Sequence, residues 1–202
     1  MTALITKDII ELSNILASDG IIAVPTDTVY GLCARIYSPN TLQKLRNMKK
    51  RPETKAFPIM CANLKQIEEI CEVNETDKKI LETFMPGPLT IILKKKETLP
   101  TYINEGLDTI AIRTATSPEL EELLLKLGEP VYMTSANLSG EKECESVNDI
   151  VNTFPSLDAI LDGETLYGQA STIVDATRGY NIVREGPISA LEIERALCKT
   201  NE

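Results

Sequence analysis

The 202-residue sequence predicts a single α/β domain built on a twisted, mixed β-sheet flanked by helices. Two observations carry that expectation. Amphipathic helical stretches alternate with short apolar runs along nearly the whole chain, which is the pattern of a helix-covered sheet. The closing runs, near 157–161, 171–175 and 181–184, are joined by segments too short for helical crossovers, so part of the sheet has to be antiparallel. The length suits one large domain spanning 1–202, and a chain of this size buries roughly 70% of its unfolded surface without help from disulfides or metal.

In chain order, Thr6 is placed to N-cap a helix carrying Ile9, Ile10, Leu12, Ile15 and Leu16, with Gly20 as its C′ residue. The apolar run Ile21–Val24 reads as a strand that Pro25 ends, because proline has no ladder donor. Ser38-Pro39 starts a second helix through Leu42, Leu45 and Met48. Phe57–Cys61 reads as a buried strand, 64–71 and 75–84 as helices, and Met85-Pro86-Gly87-Pro88 as a break before the strand Leu89–Leu93. A long connection leads to the strand Thr109–Thr114. Ser117-Pro118 opens a helix that Gly128 stops, and Val131–Thr134 is a strand followed by a helix near 147–153. Ser189 and Glu192 form a capping box on the last helix. No internal repeat, low-complexity segment or interdomain linker is evident.

Composition removes several kinds of chemistry. The chain has no histidine, which excludes His-based triads, His general bases and His-containing zinc sites. Five widely spaced cysteines, 33, 61, 71, 144 and 198, include no Cys-x-x-Cys pair and read as core residues in a reducing compartment. No apolar run approaches 18 residues and no signal pattern opens the chain, so a soluble, cytoplasmic protein without membrane contact is expected. The net charge of −9 argues against broad nucleic-acid binding, although a global sum can hide a local patch.

Such a patch exists. Lys44, Arg46, Lys49, Lys50, Arg51 and Lys55 face a single acid, Glu53, giving residues 44–55 a net +5. A helix C-terminus collects cations for its dipole, which accounts for Lys44 and Arg46 better than for Lys49-Lys50-Arg51-Pro52. Basic groups on a loop beside a strand end suit a polyphosphate, with arginine offering a bidentate fork. Pro25–Leu32 packs two threonine hydroxyls, a carboxylate, a tyrosine and a glycine just after a strand, where α/β sheets place ligands. An Asp/Thr-rich turn closed by glycine has the same composition. Ser135-Ala136-Asn137-Leu138-Ser139-Gly140 lets the backbone approach an anion and lacks the Walker A pattern; it too is compatible with an ordinary turn. Arg113, Ser171-Thr172 and Arg184 lie at strand termini, as either a shared cleft or solvated loops would place them.

Their order along the chain is far more specific than any one of them. Pro25–Leu32, Lys49-x-Arg51-Pro52, Gly87-Pro88-Leu89-Thr90, Ile110-Ala111-Ile112-Arg113, Ser135–Gly140, Ser171-Thr172-Ile173-Val174-Asp175 and Arg184-x-Gly186 together resemble the YrdC-like (TsaC) family of threonylcarbamoyl-AMP synthases, over about residues 8–198. Two-domain members carry an extra C-terminal domain, and this sequence resembles the short form. The resemblance implies a YrdC-like fold and a nucleotidyltransferase. It would make threonylcarbamoyl-AMP and pyrophosphate from L-threonine, bicarbonate or CO2, and ATP with Mg²⁺ held through the ATP phosphates. Other proteins would then transfer the threonylcarbamoyl group to tRNA.

By the same resemblance Thr28, Arg113, Ser135 and Ser171 hold threonine. Arg51, Lys55, Thr109, Asn137, Ser146 and Arg184 hold ATP, Lys49 supports the phosphates, and Lys49 and Arg51 are the catalytic pair. Met60 stands where many members have a histidine touching threonine, so the contact there is apolar or made by backbone. Asp27 and Tyr30 are expected to shape the turn. Two rivals remain. One is a same-fold paralogue with another carbamoyl or acyl-adenylate substrate, such as the related module of hydrogenase-maturation carbamoyltransferases. The other is a non-catalytic RNA-binding module built on the basic stretch. Against the second, the chain has no Trp, three Phe and six Tyr, where such modules need aromatic stacking platforms; tRNA or dsRNA binding is expected to be weak at most.

Overall fold

The computed structural model describes residues 3–52, 55–165 and 170–198. Its elements run β1 (Leu4–Thr6), α1 (Ile9–Ala17), β2 (Ile22–Val24), β3 (Gly31–Arg35), α2 (Pro39–Lys49), β4 (Ile59–Cys61), α3 (Leu64–Ile70), β5 (Cys71–Glu72), α4 (Glu75–Phe84), β6 (Leu89–Lys95), β7 (Thr109–Thr114), α5 (Pro118–Leu127), β8 (Val131–Ser135), α6 (Val147–Thr153), β9 (Ala159–Leu161), β10 (Thr172–Asp175), β11 (Asn181–Arg184) and α7 (Ala190–Cys198). Short 3-10 turns at Ile103–Gly106 and Ala176–Arg178 complete the described elements.

All of these strands join one mixed sheet. Its spatial order is β1, β9, β2, β3, β8, β4, β7, β6, β10, β11, with β5 paired to β6. β1–β9, β2–β9, β4–β7 and β6–β10 are parallel. β2–β3, β3–β8, β4–β8, β6–β7 and β10–β11 are antiparallel. The short connections that predict antiparallel pairing do produce it in the β10–β11 hairpin.

Local signals act as their chemistry requires, with exceptions. Ser117 accepts from Leu120 N at the start of α5, and Gly128 closes that helix at φ 76°. Asn74 and Asp77 form a reciprocal capping box on α4. At the first helix the cap is Asp8 rather than Thr6, because a carboxylate accepts from both Ile10 and Glu11 N–H groups. Thr6 ends a strand instead, and its hydroxyl accepts from Asp8 N. The left-handed residue after α1 is Asp19, at φ 62°, and not Gly20. Gly20 is required for another reason: a Cβ there would sit 2.7 Å from the Ile15 carbonyl oxygen. The edge strands β1 and β5, too short for visible alternation, and β3, hidden in what reads as a turn, are additions to the expected elements.

Strand alternation sorts side chains between two apolar layers. Ile59, Ile91, Ile112, Tyr132 and Val174 point into the larger layer, together with residues of α2, α3, α4, α6 and α7. Val24, Met60, Val131 and Met133 point into the smaller one, under Leu12 and Leu16 of α1 and Leu120, Leu123 and Leu124 of α5. On this second face an open cleft is lined by side chains of the same parity, beside the helical cover.

Candidate active site

The cleft encloses about 220 Å³ and opens to solvent. Thr28, Arg51, Arg113, Ser135, Ser171 and Arg184 all line it. Pairing across the sheet explains their meeting. Ser135 faces Gly31, Thr90 faces Ile173, and Ile173 faces Arg184. Arg113 faces Met60 across the β4–β7 pair.

The Pro25–Leu32 segment is a hydroxyl-locked turn. The Thr26 hydroxyl donates to the Val29 carbonyl at 2.7 Å and accepts the Thr28 and Val29 N–H groups. With that proton committed, Thr28 Oγ1 donates to Thr26 Oγ1 at 3.0 Å, which leaves Thr28 an acceptor for Arg113 Nη1 at 3.1 Å. Asp27 is more than a turn former, for its Oδ1 accepts from Arg113 Nη2 at 2.6 Å in a buried ion pair. Among the described residues, Asp27 Oδ2 and Arg113 Nε find no hydrogen-bond partner. Tyr30 does shape the turn: its hydroxyl donates to Gly163 O at 2.6 Å.

On the opposite wall Arg184 donates through Nε and Nη2 to the Ser171 carbonyl, at 3.0 and 2.8 Å. The Ser171 hydroxyl shares a 2.7 Å hydrogen bond with Thr90. Arg51 is anchored by donation to the Lys55 and Ala56 carbonyls, and its guanidinium stacks 4.7 Å from the centre of the Phe57 ring. Burial lowers the pKa of both Arg51 and Arg184, with neighbouring arginines, Arg46 and Arg113 respectively, adding to it. Both remain cations, because guanidinium is not deprotonated in proteins.

Lys49 occupies a different place from the one expected. Only 1% exposed, it donates to the Ser135 carbonyl and, at 2.9 Å each, to the Asn137 carbonyl and Asn137 Oδ1. Its backbone carbonyl accepts from Ser139 N. Lys49 therefore ties the end of α2 to the Ser-Ala-Asn loop from behind the cleft. Burial, reinforced by Arg51, pulls its pKa down to about 7. Asn137 is consumed by the same tie, with Nδ2 donating to Glu141 O and Oδ1 accepting from Ser135 Oγ and Lys49. Neither residue lines the cleft.

Three more expected nucleotide ligands lie apart from the lining. Thr109 opens β7, four residues from Arg113 and so about 13 Å along the strand; its carbonyl accepts from Asn104 Nδ2. Ser146 is exposed and committed to capping α6 through Asp149. Lys55 is exposed, and its carbonyl serves Arg51. Met60 is fully buried; Met133, on the adjacent strand β8 two residues from Met60's partner Val131 and on the same face, is the thioether that lines the cleft. Thr26 and Thr90, which lie in the quoted motifs without an expected ligand role, also line the cleft, as do Met133 and Glu143, which lie outside them. Thr90 enters through sheet pairing, facing Ile173 across β6–β10, and nothing in the sequence marks Glu143.

The basic stretch is divided, with Lys44, Lys50 and Lys55 exposed and the other three cations engaged by the fold. Arg46 is buried and pairs with Glu105, Lys49 is internal, and Arg51 lines the cleft. Among the described residues no three His, Cys, Asp or Glu side chains gather in a metal-holding group, and no helix is long and apolar enough to cross a membrane.

Known proteins resemble this chain in sequence and in fold. The Sua5/YciO/YrdC family model, described as "Telomere recombination", matches residues 14–186. A protein of Pyrococcus abyssi named threonylcarbamoyl-AMP synthase is 35% identical over 182 residues, 88% of this chain and 53% of its own length. The chain thus spans about half of that relative. A Methanocaldococcus jannaschii protein that carries the same name provisionally is 34% identical over 94% of this chain and 91% of its own. The crystal structure of P. abyssi Sua5 complexed with L-threonine superposes with a TM-score of 0.86 at 28% identity, covering 97% of this chain and 60% of that one.

Proposed function

The chain belongs to the Sua5/YciO/YrdC family, and on that footing we propose that it makes threonylcarbamoyl-AMP and pyrophosphate from L-threonine, bicarbonate or CO2, and MgATP. The observation that carries this reading is the meeting of Thr28, Arg113, Ser135 and Ser171 with Arg51 and Arg184 around one cleft. The names of the Pyrococcus relatives and the threonine in one of their structures support it.

In this reading the amino acid lies on the Arg113 side. A carboxylate adds a charge-assisted acceptor for a guanidinium that Asp27 and Thr28 already orient. The hydroxyls of Thr28, Ser135 and Ser171 surround the rest of the molecule. Arg51 and Arg184 face the polyphosphate. Carboxylation of the amine gives a carbamate, whose oxygen attacks the α-phosphorus. The α–β bridging bond breaks, and pyrophosphate leaves with that electron pair.

Charge builds on phosphoryl oxygens and on the leaving group, so fixed guanidinium groups do most of the work and histidine is not needed. Holding carbamate and nucleotide side by side supplies the rest. The product is a mixed anhydride, so a protein that transfers its acyl group to a tRNA nucleoside has to act downstream. The reading places this chemistry in the cytoplasm.

The test supplies ATP, Mg²⁺, bicarbonate and single amino acids, and measures pyrophosphate. Release that depends on threonine is the expected result. Release with a different amino acid, or with a carbamoyl donor alone, would assign the chain to a paralogous activity instead.

A further inference from the structure

Glu143 is the single carboxylate among the described residues lining the cleft, where the other charged groups are Arg51, Arg113 and Arg184. Arg113 is already matched by Asp27, so Glu143 shares the lining with the two guanidiniums assigned above to the polyphosphate. It is near enough to raise the pKa of both Lys49 and Arg184 electrostatically, yet it makes no ion pair within 4.0 Å among the described contacts. Its position is not a loose one. Cys144 N donates to the Ala136 carbonyl at 2.8 Å, Asn137 Nδ2 donates to Glu141 O at 2.7 Å, and the α6 capping box fixes Ser146. The loop is thus pinned on both sides of Glu143, and the Cys144 side chain is buried next to it.

A carboxylate held against an anion site repels a bare polyphosphate, and it attracts one that brings a cation. Mg²⁺ is commonly bound by one or two carboxylates together with substrate phosphates, keeping several of its waters. The donor set here, one carboxylate and no cluster of three, fits a cation that arrives with the nucleotide and does not fit a resident metal. We propose that Glu143 faces the metal of the incoming Mg-nucleotide, directly or through a metal-bound water, and so makes the cleft select MgATP over metal-free ATP. This rests on the reading of the cleft as an ATP site. It assigns Glu143 to specificity for the metal-bound substrate.

The experiment is equilibrium binding of ATP to the intact protein, without threonine, in Mg²⁺ and in EDTA. It compares the wild type with Glu143→Gln, which keeps size and hydrogen bonding, and with Glu143→Ser. The wild type is expected to prefer MgATP by about 10-fold or more, the effect of one unscreened like charge a few ångströms from the phosphates. Both variants are expected to bind metal-free ATP more tightly and to lose most of that preference. An unchanged Mg²⁺/EDTA ratio in variants that still bind ATP would overturn the role of Glu143 and leave the proposed activity standing. Absence of ATP binding in every protein and condition would overturn both.

Discussion

Arg113 is held before any substrate arrives. Its fork is divided between Asp27, Thr28 and the Gly87 carbonyl, so its direction is fixed by groups a lysine could not satisfy together. Arg113→Lys is expected to raise the KM for threonine about 10- to 100-fold, the loss of one or two charge-assisted hydrogen bonds. The KM for ATP should change far less, and initial rates at varied threonine and ATP separate the two. Lys49 makes a different prediction. Between pH 7 and the ordinary lysine value of 10.5 the unfolded chain holds a proton that the folded chain sheds. The unfolded state therefore binds more protons, and the contribution of Lys49 to stability rises with pH, by at most roughly 1.4 kcal/mol per unit. Denaturant midpoints of the wild type should gain on those of Lys49→Met as pH rises above 7, and parallel profiles would contradict this. Loss of the proton also leaves three oxygen acceptors sharing two N–H donors, so nucleotide affinity should fall over the same range.

At the scale of elements, the site depends on how closely β10 and the segment after β11 approach each other. A Cβ on Gly186 would lie 2.4 Å from Thr172 N and 2.6 Å from the Ser171 carbonyl carbon. Those are backbone atoms that cannot swing away. Beside them, Thr172 Oγ1 donates to the Ile188 carbonyl at 2.7 Å and accepts from Ile188 N at 3.0 Å. Gly186→Ala is expected to cost about 1–3 kcal/mol of stability by overpacking, and to shift Ser171 and Arg184 together. Chemical denaturation reads the first effect. Weakened binding of threonine and ATP in one variant reads the second, whereas a merely local disturbance would weaken one ligand alone.

For the whole molecule the important contrast is between an acidic exterior and a cationic cleft. The chain carries −9 overall, while the cleft lining holds three arginines against one glutamate. Like charge on the exterior should keep long polyanions away, and a short one can still enter the cleft. From about 0.05 to about 0.5 M salt, ATP binding should weaken several-fold as the Debye length contracts. The zwitterionic amino acid should respond less than twofold over the same roughly tenfold change in ionic strength. Binding of a tRNA that survives physiological salt would contradict this distribution, and a titration followed by anisotropy would show it.

Much was legible in the residues themselves. Alternating apolar runs and helix signals establish the α/β class, because burial enforces those periods wherever a face meets the core. Ser117, Asn74 and Gly128 work locally and stop or start helices as their chemistry demands. The ordered motifs carry the resemblance, and the resemblance implied the candidate site residues. Which of them share a cleft was decided by sheet pairing. Register brings Thr90 and Met133 into the lining, the pinned loop after β8 brings Glu143, and Thr109 is left about 13 Å down its strand from Arg113. The meeting of the end of α2 with the loop after β8 turns Lys49 inward, where three oxygen acceptors replace solvent. A motif records which polar groups are near a strand end. The face on which they lie, and what lies opposite, depends on partners about a hundred residues away in the chain, as with Gly31 and Ser135.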